Sequence, residues 1–193
     1  MSAGRAWPKL LTSSVPLADN ACMDFSEIVK QRRSIRMFTD RPVEAEKIER
    51  ILETALAAPS AANLQAYKIF VVESAEGRAA LAAAAHGQDS VRQAPVVLVF
   101  CTHAAQSAKK FGERGEQLYT LQDATIACTF AMLAVADLGL ATVWVGAFRE
   151  EAVWNAIQSP AGFSPVAMLP IGYAGEEPEP TFRRSAEKLV HRL

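Results

Sequence analysis

Between Leu118 and Leu138 the chain reads LYTLQDATIACTFAMLAVADL, and the centre of that stretch is apolar nearly all round. A helix with no polar face cannot lie on a wet surface. It must be buried in a core or between subunits. That requirement constrains everything else: other elements, or a second subunit, must cover it on every side. The longest apolar run, Ala124 to Ala136, is flanked by Asp123 and Asp137 and is too short to cross a bilayer. Gly139 supplies the expected stop.

The flanking segments alternate between the two periodicities. Asp24 and Glu27 have the spacing of a capping box, with a helix expected to run through Val29 to about Arg33. Ile48, Ile51, Leu52, Ala55 and Leu56 form one buried helical stripe, with Glu44 and Glu46 at its positive end and Pro59 as its stop. Tyr67–Glu73 reads as a strand, and "GRAALAAAA" after it as a helix. Ala94–Cys101 is a continuous apolar run, which suits a strand covered on both faces. Thr102–Gly115 is polar and is expected to be a mobile segment or lid, with Phe111 placed to gate a pocket. Ala141–Phe148 and Val166–Tyr173 read as strands, with "REEAVWNAI" as a short helix between them. The tail begins with a proline-marked extended piece and ends basic. Interleaved helices and strands place the chain in the α/β or α+β class around a central sheet. The 193 residues suffice for one domain preceded by an arm, residues 1–23. The arm lacks an apolar run of signal-peptide length.

Charge and cysteine usage exclude several functions. The formal net charge is -1, so no global field draws the chain to nucleic acid or an anionic membrane. Cys22, Cys101 and Cys128 form no CxxC pair, and His86, His103 and His191 are scattered, so a disulfide framework and a metal centre are not expected. Reduced thiols point to the cytoplasm. There is no GxGxxG, no GxxxxGK[ST] and no GxSxG.

Against that balance, "KQRRSIRMF" at Lys30–Phe38 carries four cations in nine residues. Two readings stand side by side. Arg32 and Arg33 can end a helix, where cations meet the negative end of the dipole. Alternatively, arginine forks and the Ser34 hydroxyl make a phosphate site, with Arg36 on the same face as Ser34 if the chain is extended. "APSAANLQAY", Ala58–Tyr67, is either a helix-to-strand turn or a loop whose Asn63 and Gln65 amides suit the edge of a flat heterocycle. "DLGLATVWVGAF" places Gly146 where a strand bends or where backbone approaches a ligand. "TFRRSAEKLV" repeats the arginine–serine theme at Arg183 and Arg184.

In this order, the segments RRSIRMFTDRPVEAEKIERILETALAAPSAANLQAY, DLGLATVWVGAF, LPIGY and RRSAEKLVH resemble the nitroreductase family of FMN-dependent oxidoreductases, from about Phe25 to Val190. The resemblance implies an α+β fold with a central, mostly antiparallel sheet flanked by helices, in an interlocked homodimer with two FMN sites at the interface. The long apolar helix would then pack in the dimer core. By the same resemblance, Arg32 and Ser34 hold the phosphate end and ribityl, with Arg33 beside them, and Arg36 lies near the flavin N1–O2 edge. Pro59, Ser60, Ala61 and Asn63, with Gln65 close by, come from the partner subunit. Val145, Gly146 and Ala147 approach N5, and Arg183 and Arg184 reach the phosphate. The implied activity is ping-pong hydride transfer from NAD(P)H to electron-poor acceptors such as nitroaromatics or quinones. Flavin binding, redox sensing or flavin consumption are the alternatives on the same fold. Gln65-Ala66-Tyr67 stands where relatives often have Gln-Pro-Trp, Thr129-Phe130 where many have Gln-Asn, and Thr181 where a second basic residue is common. The choice between NADH and NADPH has no fixed motif; Arg92, Lys109, Lys110 and Arg114 are the cations available.

Overall fold

The computed structural model describes residues 24–193; the N-terminal arm and Cys22 lie outside the described residues. Helix α1 spans Phe25–Gln31, and the Asp24 carboxylate caps it by accepting the Ser26 N–H at 2.7 Å. Half of the expected capping box is missing: Glu27 pairs with Lys30 at 2.9 Å instead of reaching back. Helix α2 is Ala45–Leu56. Its stripe buries Ile48, Ile51 and Ala55, while Leu52 is half-buried and Leu56 is exposed. Strand β1 follows at Tyr67–Val72, then α3 at Ala75–Ala84, α4 at Asp89–Gln93 and β2 at Val96–Thr102.

The expected lid is a helix. Residues Ala104–Arg114 form α5, broken at Gly112 (φ 57°, ψ −145°) so that the chain doubles back. A π turn at Gly115–Tyr119 leads into α6, Thr120–Asp137. The polar composition reflects one solvated helix face, not a lack of structure. Phe111 packs edge-on against Tyr119, with ring centroids 5.0 Å apart. The stretch Ala104–Asp137 has the length and hydropathy of a membrane span. Yet α6 buries Ala124, Ala127, Cys128 and Ala131 in the core shared with α2 and the sheet. Gly139 ends α6 at φ 67°, a conformation that costs glycine little.

Strand β3 is Ala141–Thr142, α7 is Glu150–Ala156 and β4 is Pro165–Gly172. The sheet order is β1-β2-β4-β3, antiparallel throughout. Central β2 is buried at every position. Val96, Leu98 and Phe100 face the α2 and α6 side, while Val97, Val99 and Cys101 face the side packed with Leu81, Val91 and Val153. This is the two-faced burial that its unbroken apolar run requires. The strand expected over Ala141–Phe148 is interrupted. Ala141 pairs with Gly172 and Val145 with Met168, a register that sets Val143 opposite Pro170. Proline has no N–H, so the rung between them cannot form, and the strand splits into a short ladder and one isolated bridge.

A polar tie joins the start of α2 to the end of β4. The Tyr173 hydroxyl donates to Glu44 at 2.7 Å and accepts from Lys47 Nζ at 3.0 Å, and the Arg41 guanidinium stacks 3.8 Å over its ring. Led by the Tyr173 bond, these contacts pull the Glu44 carboxyl from its ordinary 4.5 down to about 2. A carboxylate depressed in the folded state stabilises above its unfolded pKa and loses that contribution as pH falls through the folded value. Tyr173→Phe should therefore melt below wild type at neutral pH, and the gap should narrow between about pH 4.5 and pH 2. Melting temperatures across that range check this; a gap independent of pH would contradict it.

Candidate active site

The basic strip begins where α1 ends. Arg33 turns its guanidinium back on the helix, donating to the carbonyls of Lys30 and Arg32. It is a helix-end cation, the first of the two readings of the cluster. Beyond it the chain is extended. Ile35 is buried, Ser34 is half-buried and Arg36 is exposed, so Ser34 and Arg36 share the face opposite Ile35. Ser34 bridges to Thr142 in parallel, and the Ile35 N–H donates to the Thr142 carbonyl at 3.1 Å. Parallel pairing makes Ser34–Arg36 and Val145–Ala147 leave the same end of β3. There Val145 is buried, while Gly146 and Ala147 are exposed. A Cβ on Gly146 would sit 3.0 Å from the Trp144 indole nitrogen. The Ala147 carbonyl accepts from Gln88 Nε2 at 3.4 Å.

Arg183 comes from the far end of the chain to the same place. Burial first, and then the positive charges of Arg183 and Arg33, lower the pKa of Arg32 from its ordinary value. Like charges brought together from distant parts of a chain repel one another. The arrangement is favourable when an anion compensates it. Among the described residues, Arg32, Arg36 and Arg183 form no ion pair; the bridges present are Glu27–Lys30, Arg41–Glu44, Glu44–Lys47 and Asp89–Arg92. Arg32 and Arg33 line a groove of about 710 Å³ with Thr142, whose buried hydroxyl has no partner among the described residues. The uncommitted Arg32 fork and an orphaned hydroxyl fit a phosphate-bearing ligand, in a groove whose lining includes Glu176, Glu177 and Glu179. Arg184 is exposed and forms no hydrogen bond among the described residues. Glu176, unnoticed in the sequence, accepts the Arg36 and Met37 backbone N–H groups and ties the strip to the residues after β4.

Pro59, Ser60 and Ala61 line a separate groove of about 640 Å³, shared with Tyr119 and Leu121 of the helical hairpin. Within one subunit the two halves of the expected site share no groove. The loop around Asn63 is unusual: Ala62, Asn63 and Gln65 have φ of 48°, 55° and 49°. Left-handed backbone costs about 1–2 kcal/mol for most residues, with asparagine the common exception. Ser60 Oγ accepts the Gln65 N–H at 2.9 Å, and Asp123 accepts the Ala61 N–H at 2.9 Å. Asp123 is only 2% exposed. In the sequence it reads as the edge of an apolar run; an acid on the buried face of α6 was the available signal.

Of the candidate nicotinamide cations, Arg92 pairs with Asp89 at 2.7 Å. Arg114 donates to the Tyr119 hydroxyl at 3.0 Å, beside the second groove.

The sequence profile of the nitroreductase family matches residues 29–88 and 82–173. The chain belongs to the nitroreductase family. It is 30% identical over 195 residues to the NADH dehydrogenase of Thermus thermophilus, an alignment covering 87% of this chain and 95% of that one. It is 29% identical over 182 residues to the FMN reductase [NAD(P)H] of Bacillus subtilis, covering 86% and 73%. Nitroreductase A from Vibrio parahaemolyticus superposes with a TM-score of 0.81 at 29% identity, covering 88% of this chain and 76% of that one. The nitroreductase fold accounts for the antiparallel sheet between helices and for the order in which the carrying segments recur.

Proposed function

We propose that this nitroreductase-family protein is an FMN-dependent oxidoreductase that takes hydride from NAD(P)H and gives it to electron-poor acceptors such as nitroaromatics or quinones. Bound FMN supplies the hydride chemistry at its N5. The observation that carries the reading is the convergence of Arg32, Arg33 and Arg183, none of them in an ion pair among the described residues, beside the buried Thr142 hydroxyl in a groove that Glu176, Glu177 and Glu179 also line. Arg32 and Arg183 hold the phosphate; Ser34 adds a hydroxyl toward the ribityl, and Arg184 stays within reach of the same anion. Arg33 contributes charge while its fork stays on the helix end. Arg36, unpaired and exposed on the Ser34 face, holds the negative charge that the ring gains on reduction near N1 and O2. Val145–Ala147 leave the sheet at the same end, with Gly146 free of a side chain that would press on Trp144. Pro59, Ser60, Ala61, Asn63 and Gln65 face the flavin of the partner subunit. That assignment is supported by their separation from the arginine groove within one chain.

No side chain is assigned as an obligatory acid or base; the protein's work is orientation and electrostatics. Donor and acceptor use the same place in turn, in a homodimer working in the cytoplasm, where the thiols of Cys101 and Cys128 stay reduced. Initial velocities with NADH or NADPH varied at several fixed quinone concentrations test this. Parallel double-reciprocal lines are expected. Intersecting lines would contradict alternation at one place, and no turnover with any acceptor would contradict the activity.

A further inference from the structure

The loop that carries Asn63 holds a shape its own residues do not favour. Ala62 and Gln65 gain nothing from left-handed backbone, yet both adopt it, with Asn63 between them. The shape is imposed from α6. One oxygen of Asp123 accepts the Ala61 N–H at 2.9 Å and the other the Ala66 N–H at 3.4 Å, so a single buried carboxylate grips both ends of the loop. Thr120, one turn earlier on α6, donates to the Ala66 carbonyl at 2.7 Å. A carboxylate suits this task because both of its oxygens accept and neither donates. Within the described residues the Asn63 and Gln65 amides are engaged by nothing, and both side chains are exposed.

We propose that Asp123 is a positioning residue, whose carboxylate clamps the 61–66 loop so that the Asn63 amide is held ready for FMN. The proposal rests on the flavin reading of the protein given above. Asp123→Asn keeps the shape but sets an amide N–H₂ against one backbone N–H, so one end of the loop is released.

The test uses the full chain reconstituted with FMN: wild type, Asp123→Asn, Ala62→Val and, as a control, Val99→Ala in the core of β2. Affinity is read by quenching of FMN fluorescence, the flavin environment by visible circular dichroism, and stability by the melting temperature of the apoprotein. Asp123→Asn should weaken FMN binding by about tenfold or more and alter the dichroism of the flavin that still binds. Ala62→Val sits at an exposed position and puts a β-branched side chain on left-handed backbone. It should weaken FMN in the same way, even if Asp123→Asn does not fold. Val99→Ala should lower the melting temperature and leave affinity and dichroism unchanged. Wild-type affinity in both loop variants, or an equal loss in the Val99 control, would overturn the clamp alone. A wild-type protein that takes up no FMN would overturn the flavin reading and the clamp together.

Discussion

Arg32→Ala should lower FMN affinity by about ten- to a hundredfold while raising the melting temperature of the apoprotein. The first effect follows from losing charge-assisted bonds to phosphate, which contribute about 1.5–3 kcal/mol each. The second follows from the burial of the Arg32 guanidinium and then its crowding by Arg183 and Arg33, which weaken its hold on its own proton and oppose folding in the absence of an anion. A residue kept only to end a helix would show the reverse pattern: lower stability and unchanged affinity. Arg33→Ala should behave more in that way, because its guanidinium is committed to the carbonyls of Lys30 and Arg32. Arg36→Ala separates the remaining role. It should weaken binding of reduced FMN more than oxidised FMN, making the bound-flavin potential more negative. Calorimetry of oxidised FMN binding, apoprotein melting and a redox titration of the three variants read these outcomes. Equal losses in all three would leave the strip with no division of labour.

Leu121→Glu should separate the subunits and with them the cofactor site. Leu121 lies at the start of α6 and is 43% exposed. It borders the groove that holds Pro59, Ser60 and Ala61. Further along α6, Ile126, Phe130 and Met132 are only partly covered by their own subunit. In the homodimer proposed above, a second copy of the chain covers the part of this apolar helix that its own subunit leaves half covered. Placing a charge in that seam imposes a desolvation cost of several kcal/mol per subunit. The dissociation constant of the dimer should rise by more than about a hundredfold. Because the arginine groove and the Pro59 groove are separate within one chain, the monomer should also lose most of its FMN affinity. Sedimentation velocity with and without FMN checks both results. A dimer that persists, or a monomer that keeps the cofactor, would contradict the arrangement.

The α2 stripe, the doubly buried β2 and the apolar α6 were legible because each is a local pattern of burial. The basic strip was legible for the same reason: four cations in nine residues stand out in a balanced chain. What stayed hidden depends on pairing across distance. The split of β3 arises from Pro170, on the opposite strand, and nothing within Ala141–Phe148 announces it. The helical α5 was masked by polar residues that belong to a solvated face. The left-handed loop was hidden because alanine and glutamine occupy positions where glycine would have signalled the backbone, and their conformation is held by Asp123, far away in sequence. Arg183 looked like a solvated charge until the fold set it against Arg32. In each case the local residues were compatible with several structures, and a distant partner selected one.

The most direct test of the central claim is an anaerobic titration of the purified, FMN-reconstituted protein with NADH or NADPH. The account predicts a yellow protein that releases FMN on denaturation and whose flavin absorbance bleaches in proportion to the nicotinamide added, then returns when a quinone is supplied. A colourless protein that cannot be loaded with FMN, or a loaded one whose absorbance neither nicotinamide changes, would contradict it.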